Sequence, residues 1–456
     1  MILINTFSAV LGHHADTLQK RLALFIAALT ALAFATSASA REVQRLQTES
    51  GIGIWLVEER GVPIVSLAFA MRGGSVLDPS GFDGLGHITA NAFLEGAGDL
   101  DVQTFKGELD ALGTRMSFAI NRRAFTGGMV TLSKNKERSF ELLGLALKEP
   151  RFDAEAITQL LEQERASLDF ESRRVERVAV QRFFSLAFEG HAYARPINGT
   201  SQTLGKFTVE NIRNHAPKIL SSRDLHVVLV GDIGAVEARR MVDRVFADLP
   251  NGTDRAPITP ISLKPIQATE PGPGGQSLKT AVFAFPMPDL NDDNFFAGLA
   301  LNHIIGSGNF DARLTSEIRV TRGLTYAIGT SVIADDVSSY ALGAFSTKPA
   351  KMDEATTAII EVFKELRQNG PTKAELQNAV SQLVGNYVLR LTTSGKIADH
   401  LIGLWLDRLS PEFGERRRQK LQALTPEDLR RVAVSYLNPD QLRTLVLAPI
   451  NSSAAP

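Results

Sequence analysis

Apolar positions along the chain alternate between two spacings. In "GIGIWLVEERGVPIVSLAFAMRGGSV", from Gly51, hydrophobic residues fill two stretches of strand length on either side of the turn-rich "EERGVP", which predicts a β-hairpin. From Gly84 to about Gly113 the spacing becomes helical, turns strand-like again in "RMSFAINRRAFTGGMVTL", and is helical through "ERSFELLGLALKEP" and "DAEAITQLLEQERASLDFESRRVERVAVQRFFSLAFEG". The helix-like "TVENIRNHAPKIL" and the wholly apolar strand "LHVVLVGDI" close this half of the chain.

The same order then recurs. "TVENIRNHAPKILSSRDLHVVLVGD" from Thr208 parallels "TPEDLRRVAVSYLNPDQLRTLVLAP" from Thr425, a shift of 217 residues. "FDAEAITQLLEQERA" from Phe152 parallels "PTKAELQNAVSQLVGN" from Pro371 at a shift close to 219, and "VSLAFAMRG" from Val65 parallels "TAVFAFPMP" from Thr280 at 215. Self-similarity at so constant an offset indicates a duplicated domain. Strands, helix, strands, several helices and a returning strand predict an α+β fold: two homologous lobes, each a mainly antiparallel sheet with helices packed on one face. Between them "LPNGTDRAPITPISLKPIQATEPGPGGQS", Leu249 to Ser277, is too rich in Pro and Gly to donate a regular ladder and reads as an extended linker. The expected division is residues 1–40 as a signal peptide, 41–249 as the first lobe, 250–276 as linker and 277–456 as the second lobe, arranged as a clamshell with a ligand space between them.

Composition narrows the classes of function. With 456 residues, 44% of them apolar, the chain can bury two real cores. Lys and Arg total 49 against 50 Asp and Glu, a balance that excludes a field strong enough to make nucleic acid the main partner. Arg122, Arg123 and the run "ERRRQK" from Glu415 are expected to be solvated faces. The absence of Cys removes disulfides, thiolate zinc sites and thiol nucleophiles together. At the N-terminus Lys20 and Arg21 precede "LALFIAALTALAFA" and the small residues of "TSASA", a secretory signal with cleavage expected after Ala40. The apolar run is shorter than the roughly 20 residues that span a bilayer. The expectation is export without stable membrane insertion, to the periplasm if the source is a Gram-negative bacterium.

The stretch "GLGHITANAFLEGAG", Gly84 to Gly98, carries the chemistry in question. Two His four residues apart share one helix face and can hold one zinc ion, and a Glu beside the second can take a proton from metal-bound water. This frame reads His87, Ala90, Asn91. The first ligand is present; Ala90 cannot accept a proton, and the amide of Asn91 is a poor zinc donor beside imidazole. The remaining His191, His215, His226, His303 and His400 include no second pair at that spacing.

This stretch resembles the zinc helix of the insulinase/pitrilysin-type metallopeptidases, which carries H-x-x-E-H. "AFEGHAYARPINGT" from Ala187 and "NFDARLTSEIRVTRGLTYAIGTS" in the second half resemble the same family. The resemblance implies a third ligand, a Glu, on a later helix; alignment through "PINGT" places Ser167 at that position, with Glu162 and Glu164 close by. It also implies a substrate-binding Arg and Tyr seven residues apart in the second lobe, matched by Arg319 and Tyr326. The function implied by the resemblance is that of a non-catalytic subunit with no cofactor of its own, the zinc being expected in its partner. As half of a heterodimer it would complete the substrate chamber of a homologous zinc-bearing chain, and bind peptide or unfolded protein through Arg319 and Tyr326. The alternatives are a stand-alone peptide-binding or scaffold protein of the same fold, or an active peptidase with an unrecognised site.

Overall fold

The computed structural model describes residues 42–252, 257–308 and 310–450; the expected signal peptide lies outside the described residues. The first half runs β1 (Gln44–Gln47), β2 (Gly53–Glu58), β3 (Ile64–Arg72), α1 (Leu85–Ala92), α2 (Val102–Ala111), β4 (Arg115–Ile120), β5 (Ala124–Leu132), α3 (Lys136–Lys148), α4 (Ala154–Glu171), α5 (Val175–Ala187), α6 (Ser201–Leu204), α7 (Val209–Ile219), β6 (Leu225–Gly231) and α8 (Ala235–Phe246). The second runs β7 (Gln267–Pro271), β8 (Lys279–Pro286), α9 (Phe295–Asn302), π-helical turns at His303–Ser307 and Thr315–Thr321, β9 (Ile328–Ala334), β10 (Ser339–Thr347), α10 (Met352–Asn369), α11 (Lys373–Leu389), α12 (Ser394–Leu406), α13 (Phe413–Gln422), α14 (Pro426–Tyr436) and β11 (Arg443–Ala448). Strand orders are β1-β2-β6-β3-β5-β4 and β7-β11-β8-β10-β9. The fold is α+β with two mainly antiparallel sheets, and the second sheet repeats the order of the first.

Three local expectations change. The two strands on either side of "EERGVP" do not form a hairpin, because β6 lies between them, parallel to β2 and antiparallel to β3. Every residue of β6 is buried, and a strand that needs cover on both faces takes a central place in a sheet. The helical stretch from Gly84 is two helices, divided where Gly96 and Gly98 adopt positive φ. The end of the expected linker, Gln267–Pro271, does join a ladder, pairing parallel with β11. It is an edge strand and its proline is the last residue, where a missing N–H costs least.

The alternation along β3 explains how the halves are joined. Val65, Leu67, Phe69 and Met71 face the core formed with the first half's own helices, where Phe69 contacts Phe118, Phe125 and Phe246. The intervening Ser66, Ala68 and Ala70 are small and also buried. The helix that packs on this side of the sheet is α12, from the second half, lying on β3, β6 and β5. In return α5, the repeat counterpart of α12, packs on β8 and β11 of the second sheet, its Ala179, Phe183 and Ala187 clustering with Val282, Ala284, Leu445 and Leu447. Each half therefore covers one face of its sheet with its own helices and lends one helix to the other sheet.

Charged and aromatic groups secure the exchange. The Arg72 guanidinium lies 5.0 Å from the Trp405 ring and donates to the Trp405 and Leu406 carbonyls at 3.3 and 2.9 Å, satisfying the C-terminus of α12. His226 stacks on Trp405 at 5.1 Å and meets Trp55 edge-on at 4.9 Å; burial pushes its pKa down to about 4, so it is neutral packing. Arg122 and Arg123 are not solvated. Arg122 lies over the rings of Phe184 and Tyr193 at 4.8 and 5.3 Å. Arg123, with 17% of its side chain exposed, holds Asp335 at 3.4 Å, Asp336 at 2.9 Å and Asp407 at 2.8 Å, all in the second half. The turn between β4 and β5 places both arginines at the seam between the halves.

Arg123→Ala should therefore destabilise the protein by about 3 kcal/mol, because three carboxylates lose one shared cation. Burial already holds Asp407 above the ordinary carboxylate range, and Asp335 and Asp336 push the same way. Without Arg123 that elevation grows. A carboxyl whose folded pKa is raised contributes stability below its unfolded pKa and loses it as pH rises. Urea unfolding at several pH values should show the deficit small near pH 4 and full at pH 7; a pH-independent deficit would contradict the three-carboxylate account.

Candidate functional site

Helix α1 begins where Gly84, at φ 93°, turns the chain. A Cβ at Gly84 would come within 2.6 Å of the Gly199 nitrogen, so the "PINGT" loop is pressed against the start of this helix. The Asp78 carboxylate accepts the Gly84 and Gly86 N–H groups at 3.0 and 2.9 Å, supplying negative charge at a helix N-terminus. Arg195 in turn donates to the Asp78 carbonyl at 2.8 Å, and His215 of α7 places its Nε2 3.3 Å from Asp78 Oδ1. The helix is thus fixed at its first turn, and its next turn carries His87.

His87, Asn91 and Glu164 converge on one another. His87 Nε2 lies 3.3 Å from Glu164 Oε2, Asn91 Nδ2 donates to Glu164 Oε1 at 3.2 Å, and Asn91 Nδ2 is 3.3 Å from His87 Nε2. One assignment satisfies the carboxylate fully: His87 Nε2–H on one oxygen and the Asn91 amide on the other. The His87 hydrogen bond holds Glu164 below its ordinary range, against the opposing effect of burial. Ala90 is completely buried in the core beneath them.

This corrects the placement of the third position. Ser167 is exposed on α4, and Glu164 occupies the corner. The phase of the helix explains it: Ile157, Leu160 and Leu161 are the buried face of α4, and Glu164 continues that stripe at i+3 and i+4. That periodicity is present in the sequence and selects Glu164 over Ser167. Of the four positions that the resemblance implies, His87 and Glu164 therefore hold residues of the implied type.

The corner does not fit a zinc ion. A zinc site needs three protein ligands with lone pairs directed at the metal, and only His87 and Glu164 supply strong ones. Asn91 turns an N–H donor toward Glu164 instead of a lone pair toward a metal, and no side chain at position 90 can move a proton. Among the described residues no group of three or more His, Cys, Asp or Glu is arranged to hold a metal.

The second half presents the other predicted pair. Arg319 belongs to the π-helical Thr315–Thr321 and lays its guanidinium 4.8 Å from the Phe310 ring. Tyr326 follows the turn at Gly323, φ 58°, and is 90% exposed. Phe310 and Val320 beside them in sequence are also largely exposed, at 65% and 64%. A guanidinium and a phenol free at a surface can donate to a peptide carbonyl. A further group escaped sequence reading: His303 Nε2 lies 3.1 Å from Gln382 Oε1 of α11, and its Nδ1 3.4 Å from Ser307. At the repeat spacing this reproduces His87, Glu164 and Asn91 in the second half. Burial lowers the pKa of His303.

Comparison with known proteins bears on the fold. Residues 206–383 match the family model described as the peptidase M16 inactive domain. The chain is 23% identical to the non-peptidase homolog YmxG of Helicobacter pylori, over 74% of this chain and 78% of that protein. It is 23% identical to the zinc protease PqqE of the same organism, over 87% and 90%. Among solved structures, a peptidase M16 inactive domain from Pseudomonas fluorescens superposes with a TM-score of 0.82 at 23% identity, covering 90% of this chain and 98% of that one. The periplasmic protease PqqL of Escherichia coli gives 0.77 at 16% identity, with 90% of this chain matching 46% of that one.

Because two corners of the site persist, Asn91→His should create a zinc site that the natural chain lacks the donors to form. Metal analysis after dialysis is expected to find close to one zinc per chain in the variant, abolished by adding Glu164→Ala, with no peptide hydrolysis gained because position 90 has no base. Zinc no higher than in the unaltered chain would show that His87 and Glu164 are not poised as described. The chain thus shares the fold of M16 proteins, is similar over residues 206–383 to the peptidase M16 inactive-domain model, and carries on α1 a helix that resembles a degenerate H-x-x-E-H motif.

Proposed function

We propose that this chain is the non-catalytic subunit of an exported zinc metallopeptidase, closing the substrate chamber of a homologous zinc-bearing chain and offering Arg319 and Tyr326 to the bound peptide. The observation that carries the reading is the exposure of Tyr326, a phenol held out at the surface seven residues after the exposed Arg319, in a half where no group of three or more His, Cys, Asp or Glu among the described residues could hold a metal. Peptide hydrolysis develops negative charge on the carbonyl oxygen, and fixed donors aimed at it stabilise the transition state without titrating. The degenerate corner fits the same division of labour, since His87 and Asn91 both bond to Glu164 and Ala90 leaves no base for water. Among the described residues no helix is long and apolar enough to cross a membrane, and the periplasmic description of PqqL is compatible with an exported setting for this chain.

The test is reconstitution with the homologous chain that bears an intact zinc motif, captured from the native exported fraction. Arg319→Ala or Tyr326→Phe should lower peptide cleavage, by on the order of 10²-fold for the loss of one transition-state donor, while the zinc content of the complex is unchanged. Turnover unaltered in both variants would sink the proposal.

A further inference from the structure

The second half contains a pocket of about 430 Å³ where the His303–Ser307 turn, β9, α11 and the α12–α13 segment meet, within the roughly 300–1,000 Å³ range of small-ligand sites. Phe295, Leu404 and Phe413 give it an apolar wall, and Arg390 and Arg417 a cationic one. Arg417 is half-buried and its contacts are neutral: its guanidinium lies 5.0 Å from the Tyr387 ring and donates to the Leu383 carbonyl at 2.9 Å. Among the described residues no carboxylate pairs with Arg390 or Arg417. Asp407 also lines the pocket, but its carboxylate is engaged by Arg123 at 2.8 Å. Burial and the neighbouring Arg390 both lower the pKa of Arg417, the mark of a cation short of a counter-charge. An independent observation concerns Asn302, which is 1% exposed and lines the same pocket, with an Oδ1 that has no hydrogen-bond partner. A buried acceptor without a donor is costly and calls for one.

The pocket thus lacks a carboxylate for its guanidinium groups, an N–H for Asn302 and an apolar body for its wall. We propose that it binds the C-terminal end of a peptide, with the terminal carboxylate on Arg390 and Arg417, the last amide N–H on Asn302 Oδ1, and an apolar terminal side chain against Phe295, Leu404 and Phe413. The site is separate from Arg319 and Tyr326 and requires no partner chain, so its failure would leave the subunit role untouched.

Calorimetric titration of the purified chain alone would use N-acetyl-Ala-Ala-Phe as the free acid and as its C-terminal amide, with decanoate as a carboxylate of another class. The acid is expected to bind, and the amide at least about tenfold more weakly, as for a lost hydrogen bond to a charged group. Arg390→Gln, at an exposed position that folding does not depend on, should weaken the acid about tenfold and remove the difference between acid and amide. Asn302→Leu should weaken acid and amide alike. Equal binding of acid and amide, binding of neither, or decanoate binding more tightly than the peptide acid would overturn the proposal.

Discussion

The structure depends on a reciprocal loan. Each sheet has two apolar faces but its own half supplies helices for one of them, so either half alone would leave a sheet face open to water, an unstable arrangement for a surface of that extent. α5 and α12 close both faces at once, and the small side chains Ser66, Ala68 and Ala70 on β3 let the foreign helix approach. The electrostatics derive from that exchange. Arg72 is placed to satisfy the end of α12 because that helix ends on β3, and Arg123 meets three aspartates because the β4–β5 turn points across the seam. An Arg buried at such a seam adds directional specificity to what area burial alone would leave loosely registered.

Much of this is legible in the sequence, and the illegible parts share a cause. The duplication, the α+β class, the strand-like stretch that forms β4 and β5 and the helical stretch that forms α4 and α5 all stem from local periodicity. Whether two adjacent strands pair does not: "EERGVP" is a sound turn, yet β6 separates β2 from β3 because a strand more than 160 residues later has the greater need for central burial. Arg122 and Arg123 read as solvated for the same reason. Two consecutive arginines next to a turn carry no local sign of carboxylates that arrive from more than 200 residues away. At the site, Ala90 and Asn91 are plain from spacing, whereas Glu164 is visible to helix phase and invisible to a count of residues.

The repeat also gives the second half meaning. His303 faces Gln382 and Ser307 much as His87 faces Glu164 and Asn91, so both copies set a histidine opposite a long helix from the same half. Neither copy assembles a set of metal ligands among the described residues. The first is closed by hydrogen bonds and the second borders a cationic pocket, a difference in chemistry on one scaffold of the kind that fold alone does not predict.

The first corner has a physical logic that goes beyond the loss of a ligand. Three metal ligands aimed at an absent dication would leave the negative charge of a carboxylate facing lone pairs, an arrangement that low local dielectric makes costly. Asn91 resolves this at one stroke, since its amide turns donors into the space where acceptors would otherwise confront one another, and Glu164 receives a hydrogen bond on each oxygen. Ala90, fully buried, puts a methyl group into the core, where a carboxylate would need a partner. Both residues therefore suit a helix that packs without metal. In the role proposed for this chain, the exposed Arg319 and Tyr326, and not this closed corner, would meet the peptide.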